Sequence, residues 1–433
     1  LWKEVLMRSR LALAAVLLGC GILRAASGPS FEDLLSNLKS PNAKTRQEAA
    51  DALGKSRRRE AVTPLAALTR DPDDKVRLEV VRALRQLRDL SAVPALLTSL
   101  TDGEVKIREE AIGSIVELYA EQERSGPADR FLEIFSDDYD RQGALTYETV
   151  DPSVYRALAA ALKDDDKSVR ADAAYALGIL NGNSEIKELV AALQDPDAGV
   201  RGAAATAIGK VGRTEEGKAL IPLLSDDSAN VRNRALHAIG VLRVKEAGPA
   251  LRELYENNKR KDFGIKVLAC LSRIGDSAQA DLFRDLVQDP DPERKRLAVE
   301  GLGRISEASL LPAFKKDYQR ERNEELRLAY SFALTLLGDR AFLDTIVLGL
   351  PSKTLGNRCR DYILEMGRGI LPDLYGYLND PDAEIRAKLC DILGTIGDAE
   401  TISRLQPLIN DPSTKVADRA NRAVEHLKRR RGA

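Results

Sequence analysis

A seven-residue phrase recurs along this chain at a spacing of about 31 residues. Recurrence at that spacing restricts the fold more than any other property of the sequence. The phrase is complete in Asp71-Pro72-Asp73-Asp74-Lys75-Val76-Arg77, in Asp195-Pro196-Asp197-Ala198-Gly199-Val200-Arg201 and in Asp380-Pro381-Asp382-Ala383-Glu384-Ile385-Arg386. Its closing pair returns as Val169-Arg170, Val231-Arg232, Ile107-Arg108, Leu326-Arg327 and, more weakly, Thr45-Arg46. Copies held in one register describe a row of equivalent structural pieces.

Each piece reads as two helices. After Val200, apolar or small residues fall at Ala204, Ala207, Ile208 and Val211, the stripe of a helix buried along one face. The same offsets hold at Ile385, Leu389, Ile392, Leu393 and Ile396, and at Val169, Ala173, Ala176, Leu177 and Leu180. The Asp-Pro-Asp phrase predicts a helix start: Asp195 caps the free amides, Pro196 takes the first helical position and Asp197 meets the positive end of the dipole. Asp164-Asp165-Asp166 reads the same way rather than as a cation site. Gly178, Gly209 and Gly394 suit close packing or termination. A shorter first helix precedes each of these, often marked by proline, as at Pro64, Pro94 and Pro372. Connections of a few residues make the two helices an antiparallel hairpin. Hairpins begin near residues 31, 60, 91, 121, 152, 183, 214, 245, 277, 308, 340, 369 and 399, about 12–13 in all. None can bury its apolar face alone, and stacking them does. The expected fold is all-α, an elongated right-handed α–α superhelix.

The pattern Asp-Pro-Asp-x-x-Val-Arg-x-x-Ala-x-x-Ala-Leu-Gly resembles the short HEAT-like repeats of the phycobilisome-lyase type, over nearly all of the chain after residue 30. Its period is shorter than the forty-odd residues of standard HEAT units. The resemblance implies an armadillo-type solenoid whose second helices line the concave side. It also implies a structural ladder in which Asp73, Arg77, Arg170, Asp197, Arg201, Arg232, Asp382 and Arg386 bridge neighbouring hairpins. The other reading of those arginines is a row that recognises acidic partners. Gly264, Cys359 and Ala417 stand in the arginine register and interrupt either arrangement.

Relatives of this kind include bilin lyases acting in the cytoplasm and di-iron hydroxylases that use His–Glu pairs. The only histidines here are His237, followed by Ala238, and His426, followed by Leu427, so no such pair exists and no metal site is expected. Neither a glycine-rich phosphate loop nor a nucleophile elbow occurs. No catalytic residue and no cofactor is assigned. Lys+Arg number 66 against 67 Asp+Glu, a net charge of −1, which removes the usual basis for nucleic-acid binding.

The N-terminus reads as an export signal, residues 1–27, with Met7 as initiator. Arg8 and Arg10 precede the apolar stretch Leu11 to Leu23, and Ala25-Ala26-Ser27 offers a cleavage site. Leu17-Leu18-Gly19-Cys20 resembles the lipobox of bacterial lipoproteins, in which the cysteine carries lipid. A lipid anchor at Cys20 and a cysteine discarded with the leader both remain open. Cys270, Cys359 and Cys390 make an odd set. Core filling is expected of Cys270, and a Cys359–Cys390 disulfide is a lesser alternative.

HEAT-like repeats are expected over 31–120 and 152–433, the latter ending in a polar cap at Lys428-Arg429-Arg430-Arg431. Residues 121–151 fill the slot of one hairpin without its signature, with nine carboxylates against three arginines. Phe131, Phe135, Asp137, Asp138, Tyr139 and Tyr147 there are candidate partner contacts; a degenerate hairpin with a solvated acidic loop is the plainer reading. The functional expectation is a protein-interaction scaffold of the bacterial cell envelope, periplasmic or lipid-anchored, binding a protein partner and no nucleic acid. An enzyme-accessory or lyase-type protein and a purely structural spacer are the alternatives.

Overall fold

The computed structural model describes residues 29–122 and 150–432. Among these the regular structure is helical throughout, without strands. They belong to two compact bodies, Leu1–Ser99 and Leu100–Ala433.

In the first body, Ser30 and Asp33 form a capping box that starts the helix Phe31–Asn37. It pairs with Ala43–Ser56, and Val62–Ala66 pairs with Asp74–Gln86, before Val93–Ser99 closes the body. Leu53, Leu65, Val76, Val80, Leu84 and Leu96 are fully buried between them. The second helices touch backbone to backbone: a Cβ on Gly54 would lie 2.7 Å from the Ala83 Cα. Only a residue without a side chain permits that approach.

In the second body the pairing repeats. Pro152–Ala161 pairs with Lys167–Ile179, Ile186–Ala192 with Ala198–Val211, and Gly248–Asn258 with Asp262–Ile274. The same holds for Ala280–Leu286 with Pro292–Ile305, Leu311–Arg320 with Glu324–Leu336, and Ala399–Leu405 with Thr414–Gly432. Each second helix packs on the next second helix, which makes one continuous core. Most first helices open with a single 3₁₀ turn, as at Asn183–Glu185 and Ala308–Leu310. This is the α–α superhelix that the repeat predicts. No described helix is long and apolar enough to cross a membrane.

Two expectations change on inspection. The helix cap is the second aspartate of the phrase. Asp197 accepts from the Gly199 and Val200 amides, and Ala198 is the first helical residue. Asp73, Asp166 and Asp382 cap in the same way. Pro196 therefore lies before the cap, and Asp195 is freed for another task.

The second helices on either side of the slot at 121–151 meet; residues 123–149 lie outside the described residues. Val105–Gln122 packs directly on Lys167–Ile179, and Arg108 reaches Asp164 across 56 positions at 2.7 Å. The Asp151 amide faces the Tyr119 hydroxyl at 3.5 Å. Finally, Cys270, Cys359 and Cys390 are all free and buried, so the 359–390 disulfide is not formed.

Candidate functional site

The repeat arginine is the most regular polar feature. Arg170 forks onto Asp195 through Nε at 2.7 Å and Nη2 at 3.0 Å. Arg201 does the same to Asp226 at 2.7 and 2.9 Å, Arg386 to Asp411 at 2.9 and 2.8 Å, and Arg46 to Asp71 at 2.7 Å through both nitrogens. In each, Nη1 turns back onto the carbonyl six residues earlier in its own hairpin, as from Arg201 to Asp195 and from Arg386 to Asp380. The planar guanidinium suits this because it presents donors in a rigid fork. Each accepting aspartate also takes the amide two residues on, as Asp226 takes that of Ser228. One carboxylate thus holds its own turn and the preceding hairpin together. The Arg201 bond is the main cause holding Asp226 below the usual aspartate range, and Arg386 does the same for Asp411.

Of the residues expected in the ladder, Arg170, Arg201 and Arg386 make such rungs. Arg232 makes the backbone half, donating to the Asp226 carbonyl, and Arg77 likewise donates to the Asp71 carbonyl. Asp73 and Asp382 cap helices instead of accepting a rung, because the first aspartate of the phrase is the acceptor. Asp197 caps and also pairs with Lys167 of the preceding hairpin at 3.3 Å. In the arginine register, Cys359 is core. A Cβ on Gly264 would come within 2.2 Å of the Asn258 carbonyl. An open cleft of about 380 Å³ beside one rung is lined by Leu193, Gln194, Pro222 and Asp227 as well as by Arg201 and Asp226, whose forked bond already occupies their polar atoms. His426 places Nδ1 2.9 Å from the Gly394 carbonyl, tying the last second helix to the one before it. Cys20, Phe131, Phe135, Asp137, Asp138, Tyr139 and Tyr147 lie outside the described residues.

A second polar feature, in the second body, was not legible in the sequence. Arg296, Glu300 and Arg304 follow one another at four-residue steps along Pro292–Ile305, on a face that meets other second helices. Glu300 is 4% exposed; it accepts from Arg296, from Arg304 and from the Tyr362 hydroxyl. Burial alone would raise its pKa, but Arg296 and Arg304 outweigh that and hold it below the carboxylate range. Burial, and then Glu300, push Tyr362 well above the ordinary tyrosine value, so the phenol stays a donor.

Arg304 forks onto Glu365 at 2.8 and 3.0 Å and reaches the Ser272 hydroxyl at 2.9 Å. Its guanidinium passes 5.1 Å from the Phe332 ring centre, and Phe332 stacks on Tyr362 at 4.1 Å. Arg243 completes the set, donating to Glu365 at 2.8 Å. A paired and hydrogen-bonded set of this kind is the form in which charge survives burial. Chemically it braces: Glu300 and Arg304 are held on several sides by the other members.

The family model described as HEAT repeats matches residues 31–115, 143–209, 186–263 and 217–303. No curated protein sequence matches the chain significantly. Among solved structures, an engineered protein is 20% identical, covering 92% of this chain and 98% of its own, with a TM-score of 0.37. YibA of E. coli is 16% identical over 64% of this chain and 92% of its own, at 0.43. The complex of CpcE and CpcF of phycocyanin lyase from Nostoc sp. PCC7120 is 21% identical over 64% of this chain and 95% of that chain, at 0.30.

Proposed function

The chain belongs to the HEAT-repeat family, and from that premise we propose that it is a protein-interaction scaffold of the bacterial cell envelope. Stacked helical hairpins create extended surfaces that suit a partner protein. The observation that carries the reading is the rung set. Arg46, Arg108, Arg170, Arg201 and Arg386 each spend their guanidinium on the chain's own aspartates and carbonyls. The arginine row is therefore bracing, and its product is a surface of fixed spacing.

Partner choice then falls to what the stack leaves over. Residues 121–151 carry four of the chain's 19 phenylalanines and tyrosines and lack the repeat signature, between flanking helices that Arg108 and Asp164 join directly. In this reading that insertion recognises the partner, with the second-helix face as the supporting surface. Export rests on the Met7 to Ser27 segment, with Cys20 as the residue that would bear lipid.

The test is crosslinking and pull-down from native envelopes, comparing the full chain with one lacking residues 123–149. One protein recovered by the first and lost by the second is the expected result. Equal recovery by both would remove the insertion from the proposal, and no specific recovery by either would favour a structural spacer.

A further inference from the structure

Four rungs join neighbouring hairpins with partners 25 positions apart, and the fifth, Arg108 to Asp164, joins the helices that meet across residues 123–149. The charged centre of the second body breaks that rule. Arg304 and Glu365 are 61 positions apart, two hairpins away, and Arg243 and Glu365 are 122 apart, four hairpins away. In an open solenoid each hairpin touches only its neighbours, so small rotations between them add up along the stack. A contact spanning four hairpins cuts that sum off. We propose that Glu365, gripped by Arg304 and by Arg243, is a latch that fixes the curvature of the second body and hence the width of its inner face.

The two halves of the latch differ. The Arg304 side chain is 7% exposed and held from three directions, by Glu365, by Ser272 and by Glu300. It is the anchor. The Arg243 side chain is 51% exposed and is the releasable half. Its backbone is left-handed, φ 52°, as at the same helix-end register in other hairpins, where Arg57, Arg88, Asn181, Gly275, Ser306 and Gly338 stand. An exposed pair is weakened by salt much more than a buried one, so the latch opens first at the Arg243 end. This inference goes beyond the scaffold reading, and it is measured on the chain alone, so the loss of either leaves the other standing.

The test uses the full chain with Cys20→Ser and spin labels at Glu215→Cys and Glu400→Cys, both exposed and on opposite sides of the span. The three native thiols are buried. Pulsed dipolar spectroscopy then gives the distance distribution. Arg243→Ala should at least double its width, and Arg243→Lys should restore part of the narrowing. Arg284→Ala, which cuts a pair only 23 positions apart, should leave it unchanged. High salt should broaden the wild type toward the Arg243→Ala distribution and leave that variant as it is. Identical distributions for the wild type and Arg243→Ala, with circular dichroism confirming that both fold, would overturn the latch.

Discussion

Replacing Arg201 with alanine removes four hydrogen bonds at once: two to the Asp226 carboxylate, and one each to the Asp195 and Pro196 carbonyls at 2.9 and 3.0 Å. The side chains of the pair are 18% and 9% exposed, between the surface pairs worth about 0–1 kcal/mol and the buried pairs whose breaking costs about 3–5 kcal/mol. Bonds to charged groups contribute about 1.5–3 kcal/mol net each. Partial exposure and the Ser228 amide that remains on Asp226 bring the expected loss to about 2–3 kcal/mol. Arg201→Lys keeps the charge without the fork and should lose about half as much. Urea unfolding of Arg201→Ala, Asp226→Ala and the double variant closes a thermodynamic cycle, with an expected coupling of about 1–2 kcal/mol. Amide exchange should accelerate first in Ala198–Val211 and Ala229–Val241, the helices that this rung joins, because coupling in a stack runs between neighbours. A coupling below about 0.5 kcal/mol, or exchange that rises evenly along the chain, would refute the rung as the brace between hairpins.

Three further outcomes follow from the same geometry. Asp226 and Asp411 have lowered pKa values in the folded chain. Their contribution is therefore complete above the unfolded aspartate value of about 3.9 and is lost as pH falls through the lower folded value. Urea midpoints across acid pH should show a smaller acid dependence in Arg201→Ala than in the wild type. Gly178→Ala would set a Cβ 2.8 Å from the Ala207 Cα and should lower stability by about 1–3 kcal/mol. Gly113→Ala, with nothing within 4 Å, should be neutral or gain up to about 1 kcal/mol in the same denaturation assay. Burial pushes the thiols of Cys270, Cys359 and Cys390 up to about 12, so maleimide at neutral pH should modify them only after denaturant is added. Rapid labelling of the native chain would contradict their place in the core.

Local order was written in the sequence. The stripe from Val200 to Val211 fixed a helix and its buried face, since helical periodicity depends only on nearby residues. Short connections fixed antiparallel hairpins, and recurrence fixed their stacking. The arginine of each phrase was identifiable as structural. Which aspartate it meets was not: Asp195 and Asp197 are chemically alike and two positions apart, and only the turn geometry makes one a cap and the other a rung acceptor.

Nor could spacing decide the slot at 121–151. Two periods between Arg108 and Arg170 gave no sign that Arg108 would meet Asp164, a bond formed only in the folded stack. The Arg243–Glu365–Arg304 centre lay furthest from sight. Its members belong to hairpins two and four places apart, and their meeting is set by the summed rotation of every hairpin between them. Pattern within a repeat determines the hairpin; the accumulated geometry of the stack determines which distant charges meet.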